Sequence, residues 1–87
     1  MDLKTITADQ IDAALADESP DNEIAIELAR LIDTYTRNFA AHCEKVGRVP
    51  TEFMLKKPDS EIERVAMRLT SQAISDELGQ PLKLVWV

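Results

Sequence analysis

From Ile24 to Val46 the sequence carries one apolar stripe with the period of an α-helix, uninterrupted by glycine or proline. At about 100° per residue, Ile24, Leu28, Leu31, Ile32, Tyr35, Phe39, His42, Cys43 and Val46 fall on one face. Asp33 and Arg37 stand four apart on the opposite face, the spacing of a surface ion pair. Ser19-Pro20-Asp21-Asn22 breaks the chain ahead of it, with Pro20 suited to a first helical turn and Asp21 and Glu23 to its positive end. Gly47 is placed to close it. The expected helix occupies about 21–46. The 23 residues from Ile24 to Val46, at 1.5 Å each, make a spine roughly 34 Å long, against which the rest of an 87-residue chain must pack.

Two shorter helices flank it. Thr7-Ala8-Asp9-Gln10 reads as a capping box, and Ile6 with Ile11 as a hydrophobic staple. This predicts a helix over about 7–17 that buries Ile11, Ala14 and Leu15. Ser60-Glu61-Ile62-Glu63 is a second capping box, and Gly79 with Pro81 ends the following helix near Leu78, giving about 60–78. Ile62, Val65, Ala66, Leu69 and Ala73 form its expected inner face, and Met67, Ile74 and Leu78 a second stripe. That arc exceeds what one neighbouring helix covers, so further cover is required.

Residues 48–58 connect the second and third helices between Pro50 and Pro58, and Thr51 is placed to cap a single helical turn carrying Phe53, Met54 and Leu55. After Pro81, Leu82-Lys83-Leu84-Val85-Trp86-Val87 alternates like a β-strand. A strand needs a neighbour for its backbone groups. Leu3-Lys4-Thr5-Ile6 is the internal candidate; otherwise the segment lies over the Met67 stripe, pairs with another copy or joins a partner's sheet. The expectation is a single mainly α domain over 1–87: three helices, the central one long, and an extended C-terminal segment over 82–87 with β character. Two glycines and four prolines are too few for a many-turned all-β fold.

The candidate chemistry is thin. His42 and Cys43 are adjacent, so on a helix they point about 100° apart and cannot act as a nucleophile–base pair; both also lie in the apolar stripe. One cysteine and one histidine leave no closed zinc site. From Asp17 to Leu28 the sequence resembles a calcium loop, but Asn22 replaces its glycine and Leu28 its final glutamate. No glycine-rich phosphate loop occurs. The carboxylates Asp59, Glu61, Glu63, Asp76 and Glu77 sit at expected helix ends, where water solvates them. No catalytic, metal or cofactor residue is therefore assigned, and the chain reads as a non-enzyme.

Charge sharpens that picture. Of the net −6, residues 1–33 hold −7, nine acids against Lys4 and Arg30, while residues 34–68 hold +2, five acids against seven bases. Arg37, Lys45, Arg48, Lys56 and Lys57 cluster around the connector as a candidate basic contact. Overall acidity nonetheless disfavours nucleic acid. The unpaired Cys43, with no secretory signal and no apolar run long enough to cross a membrane, points to a cytoplasmic protein.

The expected function is a small acidic protein–protein interaction module: an adaptor, regulatory subunit or inhibitor, binding a protein partner or itself as a homodimer. Met67, Ile74, Leu78, Leu84, Trp86 and Val87 are the expected interface, with tryptophan a frequent binding anchor. The alternatives are an acidic decoy that occupies a nucleic-acid-binding protein, and a nucleic-acid binder using the basic 37–57 region.

Overall fold

A computed structural model describes residues 2–17 and 21–86; the Ser19-Pro20 part of the first break and Val87 lie outside them. Helix α1 spans Ala8–Ala16 behind the expected capping box. The Gln10 N–H donates to Thr7 Oγ1 at 3.2 Å, and the Thr7 N–H donates to Gln10 Oε1 at 2.8 Å. Ile6 and Ile11 are both buried in one cluster, as the staple requires. Leu15 is not: it is 49% exposed. Ile11 and Ala14 make the contact with the rest of the fold, and Leu15 stands beyond it in the last turn of α1.

Helix α2 spans Glu23–Val46, starting two residues later than the sequence suggests because Asn22 is its N-cap. The Asn22 side chain does two jobs. Its Oδ1 accepts from the Ala25 N–H at 3.2 Å, and its Nδ2 donates to the Ala14 carbonyl of α1 at 2.7 Å. Asn22→Ala is thus expected to cost about 1–2 kcal/mol, the upper range of N-cap losses, read as a lower denaturant midpoint. Gly47 ends α2 in the left-handed region at φ 73°, and Gly79 ends the third helix at φ 70°. Along the spine Ile24, Leu28, Leu31 and Phe39 are buried and Ile32, Tyr35, His42 and Cys43 half-buried. Val46, in the last turn, is exposed instead of joining the stripe.

The connector corrects the sequence reading. Residues 52–55 form a strand, β1 (Glu52–Leu55), with Phe53 inward and Glu52 and Met54 outward, and not a helical turn. Seven residues between two prolines are too few to nucleate a stable helix, and Pro58 biases Lys57 towards extended backbone. Helix α3 follows over Glu61–Leu78 with Ser60 as N-cap. Its capping box is half reciprocal: the Glu63 N–H donates to Ser60 Oγ at 3.4 Å, but the Glu63 carboxylate accepts from Asp59 at 3.0 Å. Ile62, Val65 and Ala66 are buried on its inner face, whereas Leu69 is half-buried and Ala73 exposed.

Strand β2 (Lys83–Trp86) pairs in parallel with β1, Glu52 opposite Lys83 through Leu55 opposite Trp86. Residues 3–6, the expected partner, are used elsewhere: Thr5 and Lys4 turn back onto Asp2, and Ile6 enters the core. Parallel strands need a long crossover, and α3 supplies it, so β1, α3 and β2 form a β-α-β unit preceded by α1 and α2.

Two apolar clusters hold the fold. Ile24, Leu28 and Leu31 of α2 meet Ile62, Val65 and Ala66 of α3, with Ile6, Ile11 and Ala14 closing that end. Phe39 of α2, Ile74 of α3, Phe53 of β1 and Leu82 form the second. The long helices therefore run in the same sense, and Phe53 and Leu82 pack against their later halves. The domain is mainly helical, measures 40 × 26 × 18 Å, and no helix among the described residues is long and apolar enough to cross a membrane.

Candidate functional site

The start of β2 is bolted to α3 by two hydroxyls. Ser71 and Ser75 lie one turn apart on α3, facing Leu82. Ser71 Oγ donates to the Leu82 carbonyl at 2.6 Å, and the Leu82 N–H donates to Ser75 Oγ at 2.8 Å. Ser75 Oγ in turn donates to the Ser71 carbonyl at 2.7 Å. Leu82 is buried, so these bonds satisfy groups that water does not reach.

Beyond that bolt, β2 and α3 leave a groove of about 500 Å³ between them. Met67 and Leu84 line it with Trp86, which is 51% exposed; Arg64, Arg68 and Lys83 form its charged margin, and Ser71 and Gln72 its polar end. Arg64 pairs with Glu61 at 3.2 Å on the helix surface. Arg68 and Lys83 make no ion pair among the described residues. Three cations thus converge beside an aromatic ring on a chain of net charge −6. Such a surface is complementary to groups that combine apolar area with negative charge.

The residues expected at an interface divide here. Met67 and Ile74 are buried within the chain, at 4% and 6% exposure, and Ile74 is covered by Phe53 and Leu82 in the second cluster. Leu78 and Trp86 are exposed and Leu84 is half-buried; Val87 lies outside the described residues. Arg64, Arg68 and Lys83 escaped notice in the sequence. The four-residue spacing of the arginines around Met67 was the available signal, and only the placement of β2 makes it meaningful.

The expected basic contact is dispersed. Arg37 pairs with Asp33 at 3.0 Å on the exposed side of α2, and Lys45 is exposed near the end of that helix. Arg48 lines a cleft of about 460 Å³ with His42, Glu52, Phe53 and Met54. His42 packs on Phe53, ring centroids 5.1 Å apart, and Phe53 meets Phe39 edge-on at 5.5 Å. Lys56 and Lys57 line a separate cleft of about 250 Å³ with Tyr35, Leu55, Asp59 and Glu63. Each cleft contains carboxylates that oppose a polyanion. Cys43, an unpaired thiol, packs half-buried against the second cluster.

Tyr35 in the last cleft has a testable titration. Burial raises its pKa above the ordinary phenol value, and Glu63 and Asp59 add to the rise while Arg30 opposes it. Below that ordinary value both folded and unfolded phenols are neutral. As pH climbs past it the unfolded phenol ionises first, so stability is lost until the folded phenol also titrates. Tyr35 is the sole tyrosine. Between about pH 8 and 11, bracketing the phenol range, the unaltered chain is expected to lose more stability in urea than Tyr35→Phe.

No protein-family model, curated protein or solved structure matches the chain.

Proposed function

We propose that this chain is a small non-enzymatic interaction module, an adaptor, regulatory subunit or inhibitor, that engages a protein partner through the α3–β2 groove. The observation that carries the reading is the half-exposed Trp86 set among Arg64, Arg68 and Lys83 on a chain of net charge −6. Tryptophan and arginine are the residues most often found as binding anchors. A cytoplasmic setting agrees with the unpaired Cys43 thiol.

The chain, tagged at its N-terminus, would be used to capture partners from lysate of its source cells, with and without nuclease. One stoichiometric protein that survives nuclease is expected, and Arg68→Glu with Trp86→Ala should reduce its capture about tenfold or more, a loss of anchor size. Retention of no protein, or loss of all partners on nuclease treatment, would overturn the reading. Recovery of the chain alone, with a dimer in analytical ultracentrifugation, would instead favour a homodimeric module.

The acidic-decoy reading draws on α1 and the start of α2, where Asp9, Asp12 and Glu23 are exposed. Capture that weakens steeply with salt and ignores the groove substitutions would favour it.

A further inference from the structure

We infer that the groove takes its partner by strand addition: an extended segment in which acidic residues alternate with apolar ones pairs with the free edge of β2. This rests on the module reading above and assigns the partner's chemistry and binding mode.

The backbone register identifies the edge. The Lys83 N–H donates to the Thr51 carbonyl at 3.0 Å, and Glu52 stands opposite Lys83. In a parallel ladder alternate residues bond alternate sides, so Lys83 and Val85 face β1 while Leu82, Leu84 and Trp86 turn to the other edge. At Leu82 that edge is already satisfied by Ser71 and Ser75. Further along, α3 presents Met67, Arg68 and Arg64 to the groove. Arginine carries no acceptor and a thioether only a weak one, so these side chains give the Leu84 and Trp86 N–H groups no strong partner. Peptide backbone supplies both the acceptors and the donors such an edge uses.

The side chains select the occupant. Leu84 and Trp86 offer apolar contact above the buried Met67, and Arg64, Arg68 and Lys83 are spaced around it to meet carboxylates. A second copy of this chain fits poorly at this edge. Twofold pairing of β2 with β2 would bring two sets of Arg64, Arg68 and Lys83 together, six like charges in one contact. A single-stranded nucleic acid could stack on Trp86 and offer phosphate oxygens to the edge N–H groups, but its phosphodiester backbone carries no donor for the edge carbonyls.

The test is selection from a random dodecapeptide library on the immobilised full chain, followed by titration of the best synthetic peptide. Trp86 is the sole tryptophan, so its emission reads the groove directly. Enriched peptides are expected to alternate Asp or Glu with apolar residues. N-methylation of one alternating set of their amides should weaken binding tenfold or more, while methylation of the other set is tolerated. Arg64→Glu with Arg68→Glu, both exposed positions, should weaken binding by a similar factor.

Enrichment without acidic residues, no enrichment at all, or indifference to both methylation patterns would overturn strand addition. So would tighter binding of a thymidine oligonucleotide than of the peptide. A stoichiometric protein partner lost with the groove substitutions would still leave the module reading standing after any of these results, which keeps the two failures separate.

Discussion

Leu28→Ala is expected to destabilise the domain by about 3 kcal/mol, within the range for emptying a buried leucine site. Leu28 is 2% exposed and sits where α2 meets both α3 and the Ile6–Ile11 end of the chain. Removing its branched side chain opens a cavity among Ile24, Leu31, Ile62 and Val65, whose positions are fixed by two helix backbones. A domain of this size has roughly 4–13 kcal/mol in total, so the loss removes a large share. Its melting temperature should fall by roughly 12–24 °C, given 4–8 °C per kcal/mol for small domains. Leu15→Ala is the internal control. The sequence places both leucines on apolar helix faces, yet Leu15 stands half in solvent and its replacement should change stability by less than about 0.5 kcal/mol, as for other surface positions. Equal losses from the two variants in thermal denaturation would contradict the packing described here.

Ser71→Ala combined with Ser75→Ala is expected to free β2. The pair leaves the Leu82 N–H and carbonyl without their partners at a buried position. Each such orphaned group costs about 1–3 kcal/mol. The strand can avoid that cost by peeling away, at the expense of the contacts Leu82 and Leu84 make with Phe39, Phe53 and Ile74. The first cluster, built from α1, α2 and α3, does not depend on β2. Exchange of the bonded amides of Leu82, Lys83 and Val85 should therefore accelerate by two orders of magnitude or more, about 2.7 kcal/mol of lost local protection, while the helices keep most of their protection. Trp86 emission should shift at the same time. Unchanged exchange at these three amides would show that the hydroxyls do not hold the strand. Because the groove exists only while β2 lies along α3, the same variant should also lose binding there.

What was legible in the residues and what was not divides by the range of the interactions. Thr7 and Gln10, Ser60, Gly47 and Gly79 mark helix ends because a cap involves groups within one turn of each other. The spine could be read from Ile24 to Phe39 because a helical stripe of that length has few other uses. The errors fall where a local pattern meets a distant competitor. Phe53, Met54 and Leu55 suit a helical turn or a strand equally well, and the choice is made by Lys83 to Trp86 across the whole of α3. Leu3 to Ile6 had the composition of a strand partner, but Ile6 is worth more inside the first cluster. At the candidate site, Trp86 stands out in any reading, whereas Arg64, Arg68 and Lys83 look like ordinary wet charges until β2 is laid beside α3.

Residue order alone determines three helices, a long middle one and an extended alternating segment, through caps and periodicities that act over three to seven residues. The parallel β-α-β pairing, the cover over Ile74, and the cationic groove at Trp86 belong to the tertiary structure. They depend on hydrogen bonds and burial between segments far apart in the chain, and the free energy of those contacts exists only once both segments are in place.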